Sequence, residues 1–322
     1  QMQTISVGCP QGSLLSPMLF LIYIADLELW IKDATVMGYA DDTATYTSDA
    51  DEDTVIRKLE ADANRVIRYM ASNFLSANPL KTGFLLIRRK QSDVRRKIIV
   101  GKDLVEEQTS HRILGLTVNN SLTWKDHANG VLNSVYQRIG ALRRVTYHVP
   151  SESLPSITSA IVASKIRYGI AVYGGLRLND ADPTSESDKA LQIALNEAMR
   201  VATKSRRRDR VPITELIQRT GIQSVNRMSA EDKLRLAWQV THYPNSPLNA
   251  AICRPSKNKS EITLRSSTRG DLQTEARTTL GQRNFPEPAI RIWNTATANI
   301  REATSSYSAK SAIKKFVSAL PL

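Results

Sequence analysis

The chain has 322 residues, 41% of them hydrophobic and 23% charged, with 14 Gly, 13 Pro and 2 Cys. These are globular proportions, which exclude collagen-like, cysteine-rich and largely disordered classes and allow two domains or one large one. The formal net charge of +13 is uneven: residues 1–80 carry 5 Lys/Arg against 11 Asp/Glu, and the rest of the chain 39 against 20.

The chain opens on Gln1 rather than Met, which points to a fragment or processed product. No basic-then-apolar segment with a cleavage site follows. Ser13 to Leu27 reads as a helix with Ser13 as N-cap, Pro17 in the first turn, and Met18, Leu19, Ile22 and Tyr23 at helical spacing. Its apolar run, Met18 to Ala25, is the longest in the chain at 8 residues, far short of the ~20 that a membrane-spanning helix needs. Val36–Ala40 and Thr43–Tyr46 flank Asp41-Asp42, a pattern that predicts a tight β-hairpin with both aspartates at its tip.

Asp51 to Ala71 reads as a second helix, with Asp51, Glu52 and Asp53 in its first turn and Val55, Leu59, Ala63, Val66 and Met70 as its buried stripe. Phe84–Ile87, Lys97–Val100 and Ile113–Val118 look like short strands that complete a mixed unit ending near residue 120. Beyond it the period turns helical, over His127–Tyr147, Leu154–Tyr173, Ser187–Thr203 and Ala230–Tyr243. Residues 243–271, rich in Pro, Asn, Ser and charge, read as a linker, and Arg291–Asn299 and Ala309–Leu320 as short terminal helices.

An acidic segment ahead of a long basic body suits metal-assisted chemistry on a polyanion, because Lys and Arg release counterions when they meet phosphates. Solvated helix faces would produce part of the same imbalance. Cys9 and Cys253 lie far apart, and with His111, His127, His148 and His242 they form no cluster that spells a zinc site. Such cysteine usage fits a reducing, intracellular compartment, nuclear or cytoplasmic. His127 reads as structural and Cys9 as a small packed residue.

The chemistry centres on Tyr39-Ala40-Asp41-Asp42. A turn can aim neighbouring carboxylates the same way, and a hard divalent cation relieves their repulsion. Turn chemistry alone also accounts for an Asp pair. The loop Gln11-Gly12-Ser13 offers small residues and free N–H groups ahead of a helix, and Asn78-Pro79-Leu80-Lys81-Thr82 puts a lysine in a turn. Capped helix and solvated lysine are the plain alternatives. Arg88-Arg89-Lys90 and Arg95-Arg96-Lys97 flank a hairpin turn that could meet nucleic acid. The run Lys204 to Arg210 reads equally as an import signal, an RNA-backbone contact or a solvated loop.

In this order the motifs resemble the reverse transcriptase of non-LTR (LINE-type) retrotransposons, from the fingers–palm junction to the C-terminus. The matching pieces are GCPQGSLLSPMLF (8–20), GYADDT (38–43), NPLKT (78–82) and ILGLTVNNSLTWKDH (113–127), with RYGIAVYG (167–174) and QRNFPEPAIRIWN (282–294). The resemblance implies an α+β chain: a partial right-hand polymerase palm over 1–120, an α-helical thumb and connection over 121–243, and a basic linker and C-terminal segment over 244–322. It further implies RNA-directed DNA synthesis, with an RNA template, a DNA primer and dNTP as partners and no membrane. Asp41 and Asp42 would hold Mg²⁺ or Mn²⁺ in a two-metal site, Asp41 as the more direct ligand.

By the same resemblance Gln11, Gly12, Ser13 and Tyr39 would line the nucleotide site, and Lys81 would act catalytically near the triphosphate. Leu114 and Gly115 would support the primer end, and Arg138, Arg143 and Arg144 would follow the duplex. Tyr69, Tyr173 and Asn119 depart from the family's usual Trp, Trp and acid. The family's further metal-binding aspartate belongs upstream of the loop at Gln11, where this chain has no acid. The chain alone is therefore expected to be nearly inactive. A non-catalytic RNA-binding relic of such a polymerase is the alternative.

Overall fold

The computed structural model describes residues 8, 12–78, 81–88, 94–246, 248–249, 271–272 and 284–322. It is mixed in class, with small sheets and many helices, consistent with α+β. The chain divides into two compact units: residues 1–111 with 119–121, and residues 112–118 with 122–322. Among the described residues no helix is long and apolar enough to cross a membrane.

The first unit begins with helix α1, Ser16–Tyr23, later than the predicted start at Ser13. Pro17 fits only the first turn of a helix, where no N–H is needed, so the helix begins beside it. Ser13 is not its N-cap; its hydroxyl accepts instead from the Leu15 N–H at 3.2 Å. The apolar residues of α1 recur as read, yet none of the helix is buried. A 3-10 turn, Leu27–Trp30, follows.

Strands β1 (Thr35–Tyr39) and β2 (Asp42–Tyr46) form the expected antiparallel hairpin. Helix α2, Glu52–Ser72, is capped by Asp51, whose carboxylate accepts from the Thr54 N–H at 2.9 Å. Its apolar residues divide between two faces. Ile56, Leu59, Ala63 and Ile67 meet a small sheet, while Val66, Tyr69 and Met70 meet Leu27, Ile31 and Val36.

That sheet runs β3 (Phe84–Leu85), β5 (Asp103–Gln108), β4 (Lys97–Val100), with β3 parallel and β4 antiparallel to β5. The predicted strand at Ile113–Val118 is instead the tip of a second hairpin, β6 (Ser110–Ile113) with β7 (Leu116–Asn119). Leu114 (φ 47) and Gly115 (φ 83) make its two-residue turn. Positive φ at both loop positions gives the backbone twist that a two-residue hairpin wants.

The second unit is helical: α3 (Lys125–Val145), α7 (Glu186–Ala202), α8 (Ile213–Thr220) and α9 (Val225–His242), with a broken stretch between α3 and α7. Residues 154–173, predicted as one helix, are four pieces: α4 (Leu154–Thr158), a π-helical turn (Ser159–Ala163), α5 (Ser164–Arg167) and α6 (Ile170–Tyr173). Gly169, at φ 72, sets the break before α6. The chain ends in α10 (Glu287–Thr295), α11 (Ala298–Arg301) and α12 (Ser306–Ser318). Helix α9 is covered on two sides. Val225 and Met228 join the core of α3, α5, α6, α7 and α8, while Leu234, Ala237 and Trp238 join that of α10, α11 and α12.

Candidate active site

The Asp41–Asp42 turn is as tight as a hairpin connection can be. Tyr39 pairs with Asp42, leaving Ala40 (φ 52) and Asp41 as the two-residue loop. Both carboxylates are exposed, as is Tyr39, and neither carboxylate has a hydrogen-bonding or ionic partner among the described residues. Two adjacent, unneutralised carboxylates present hard oxygen donors of the kind that Mg²⁺ takes. Among the described residues no group of three or more His, Cys, Asp or Glu is disposed to hold a metal ion.

The hairpin is aimed by a buried aspartate that sequence reasoning missed. Asp62, fully buried on α2, accepts the backbone N–H groups of Lys32 (3.1 Å), Asp33 (2.8 Å) and Ala34 (2.6 Å), the residues that lead into β1. Arg65 pairs with the same carboxylate and reaches Asp33 at 3.5 Å. Burial works to raise the Asp62 carboxyl, but Arg65 and the three N–H groups together hold it below the usual carboxylate range. An acid one turn ahead of a late-helix arginine was the available signal.

A second tie fixes the chain after α1. Tyr69, buried in α2, donates to Asp26 Oδ1 at 2.5 Å and stacks edge-on against Trp30. Burial, then the Asp26 carboxylate, pushes the Tyr69 hydroxyl up to about 12. Asp26 is thus a structural acceptor.

The remaining predicted residues are dispersed. Gly12 and Ser13 precede α1, and exposed Lys81 sits in a turn closed by its own N–H to the Asn78 carbonyl at 3.1 Å. No hydrogen bond or ion pair among the described residues joins any of them to the Asp41–Asp42 turn. Gln11 and Cys9 lie outside the described residues, as do Arg89 and Lys90.

In the neighbouring basic runs Arg88, Arg96 and Lys97 pair with acids, while Arg95 is exposed. Arg88 grips Glu52 at 2.8 Å and also Glu107, while Arg96 reaches Glu52 at 2.8 Å and Asp53 at 2.6 Å. Lys97 pairs with Glu106 at 2.6 Å. Arg88, then Arg96, holds the Glu52 carboxyl down to about 2. These cations are spent on carboxylates of their own unit.

In the second unit the turn at Leu114 and Gly115 is held by Tyr168, whose hydroxyl donates to the Leu114 carbonyl at 2.7 Å. A Cβ on Gly115 would stand 3.1 Å from the Tyr168 ring, so glycine serves both the φ and the approach. His127 is buried against Trp124 and Tyr173, and its Nδ1 accepts the Thr117 N–H at 3.2 Å. Burial first, then Lys165 and Arg112, push its imidazole below the usual value, so it is a neutral structural group as read. Tyr173 is buried and donates to the Ile166 carbonyl. Of the three arginines of α3, Arg138 donates to the Ile161 carbonyl at 2.7 Å, Arg143 pairs with Glu197, and Arg144 is exposed. Trp124 Nε1 donates to Asn284 Oδ1 at 2.7 Å, which joins two of the weaker motifs.

A family model described as reverse transcriptase (RNA-dependent DNA polymerase) matches residues 1–118. The chain is 25% identical over 207 residues to the probable RNA-directed DNA polymerase from transposon BS of Drosophila melanogaster, covering 61% of this chain and 22% of that protein. It is 22% identical over 180 residues to the RNA-directed DNA polymerase from mobile element jockey of the same species, covering 53% and 20% respectively. The matched parts are thus about a fifth of the length of these relatives. No solved structure matches the chain. The exposed Asp-Asp hairpin falls inside the matched residues, and there the chain is similar to the reverse transcriptase family and to the RNA-directed DNA polymerases of these two mobile elements.

Proposed function

We infer that this chain is part of an RNA-directed DNA polymerase, which joins a dNTP to a primer 3′-hydroxyl on an RNA template. Residues 1–120 would be part of its palm, 121–243 its thumb and connection, and 244–322 a basic C-terminal segment. The observation that carries this reading is the hairpin turn: two adjacent, exposed aspartates with no basic partner among the described residues, on a strand pair anchored by the buried Asp62.

Asp41 and Asp42 fit a Mg²⁺ or Mn²⁺ ion as part of its oxygen shell. The ion would polarise the phosphoryl oxygens and neutralise charge that builds up on them. Gln11, Gly12, Ser13 and Tyr39 would shape the pocket of the incoming nucleotide. Lys81 would neutralise the triphosphate and give a proton to the leaving pyrophosphate. Leu114 and Gly115 would back the primer end, with Arg138 and Arg144 along the duplex. Arg143 has a weaker claim, since Glu197 already occupies it.

The turn supplies two carboxylates, and the sequence before Asp26 has no acid. Residues 1–322 alone should therefore extend a primer weakly or not at all. A single missing transition-state stabiliser is worth about 2.7–4 kcal/mol. The second reading is a non-catalytic RNA-binding relic, against which the intact Asp41, Asp42, Gln11 and Lys81 stand. Primer extension on RNA with Mg²⁺ and then Mn²⁺, and metal-dependent dNTP binding, should be compared between this chain and Asp41→Ala. Extension or metal-dependent binding that the variant loses supports the polymerase. Binding that ignores the substitution, with no extension, favours the relic.

A further inference from the structure

The three-stranded sheet of the first unit closes one of its edges and leaves part of the other open. Along β4, the outward backbone groups of Ile99 are taken by side chains of α2. Glu60 accepts the Ile99 N–H at 3.1 Å, and Asn64 donates to the Ile99 carbonyl at 2.7 Å. Asn64 also accepts the Gly101 N–H at 2.8 Å. Strand β5 has no such cover. Hydrogen-bonded pairs alternate along an antiparallel ladder, and here the Glu107 N–H donates to the Arg96 carbonyl at 2.8 Å. Val105 and Asp103 therefore also face β4, while Leu104 turns its N–H and C=O the other way. Strand β3 covers that side only from Phe84, opposite Glu107, onward. Ahead of Phe84 the chain turns off, the Thr82 N–H closing on the Asn78 carbonyl at 3.2 Å. Neither backbone group of Leu104 has a partner among the described residues.

A cleft of about 590 Å³ lies along this edge, lined by Thr82, Arg95 and residues 103–110. Its charged lining is three carboxylates, Asp103, Glu106 and Glu107, against one cation, Arg95. That balance repels a nucleic-acid backbone. It also disfavours a second copy joined edge to edge, since an antiparallel pair centred on Val105 sets Asp103 opposite the copy's Glu107. On the outer face of the sheet Ile99 and Leu104 are cross-strand neighbours, 54% and 61% exposed. The next pair on that face is Lys97 with Glu106, bridged at 2.6 Å. A strand laid against β5 places one side chain beside Leu104 and another, two positions away, beside Glu106. Leu104 asks for an apolar neighbour there, and Glu106, with Lys97 on its other side only, asks for a cation.

We propose that the open edge of β5 is a strand-addition site for another protein: an extended segment with an apolar residue beside Leu104 and an arginine or lysine two positions away, beside Glu106. Backbone bonds to Leu104 supply the hold, and the two side chains supply the selection. The proposal does not rest on the polymerase reading, and a chain without catalysis would keep the site.

The test uses the full chain and a labelled peptide, acetyl-TVTRTV-amide. Two altered peptides go with it: one has glutamate in place of the arginine, and the other is N-methylated at its backbone amides. Fluorescence anisotropy reads binding, and NMR reads hydrogen exchange at the Leu104 amide. The arginine peptide should bind and slow that amide about tenfold or more. The glutamate peptide should bind about fivefold more weakly, and the methylated one not at all. Glu106→Lys should reverse the preference between the arginine and glutamate peptides. Leu104→Arg should weaken the arginine peptide, with Ile193→Arg, a control on the exposed side of α7, near wild type.

The altered peptides meet an unaltered protein, so their outcome is independent of how any substitution folds. No binding of the arginine peptide, or binding that leaves Leu104 exchange unchanged, would overturn the site. So would equal binding of the methylated peptide, which would reduce the contact to charge alone. A dimer in sedimentation that Leu104→Arg dissolves would assign the edge to a second copy instead.

Discussion

Single residues set opposite demands in this molecule. The Asp41 carboxylate is exposed and has no partner among the described residues, whereas Asp62 is buried and engaged by Arg65 and three backbone N–H groups. Surface substitutions usually move stability by no more than about 0.5 kcal/mol, so Asp41→Ala should melt like the wild type while losing metal-dependent nucleotide binding. Asp62→Ala leaves Arg65 without its main partner and three N–H groups without acceptors. It should cost about 3–5 kcal/mol in urea unfolding. An Asp62 variant as stable as the parent would sink that account.

Lys233 makes a different demand. It is fully buried, and its ammonium donates to the Gly174 carbonyl at 2.7 Å and to Ser229 Oγ at 2.5 Å. Burial pushes its pKa down to about 7, with Asp188 and Asp232 opposing. Below pH 7 both folded and unfolded chains carry the proton. Between there and the ordinary lysine value the unfolded chain binds more, so stability should climb with pH through that window. Denaturant melts of the wild type and Lys233→Met should diverge there. Parallel curves would mean that the folded ammonium titrates as an ordinary lysine does.

Elements differ in how openly the sequence announces them. The β1–β2 hairpin and α2 were legible because alternation, acids in the first turn and a capping Asp51 all point one way. Strand β5 was not: its sequence, DLVEEQ, buries Val105 and Glu107, and Glu107 is buried only because Arg88 crosses to meet it. A contact far along the chain carries no local signal. The predicted helix over residues 154–173 kept its apolar period because all its pieces face one core, so the π-helical turn left no mark. Helix α8 could have been found, since Pro212 and Gly221 bracket it. The tip aspartates of the site were readable as a motif. Their support was not, because Asp62 and Arg65 look like any solvated pair until the fold brings residues 32–34 against them.

For the whole molecule, the charge imbalance has a spatial meaning. In the first unit Arg88, Arg96 and Lys97 pair with its own acids, while in the second Arg112, Arg138 and Lys165 have no acidic partner among the described residues. Net charge alone did not distinguish the two. Helix α9 has a consequence of its own. Because cores lie on both of its sides, its amides open only when both cores are breached, whereas α1 buries none of its side chains. Native-state deuterium uptake should therefore be slowest along α9 and fast along α1. If α9 exchanged as quickly as α1, the two cores would be opening independently and the helix would be hinge rather than keel.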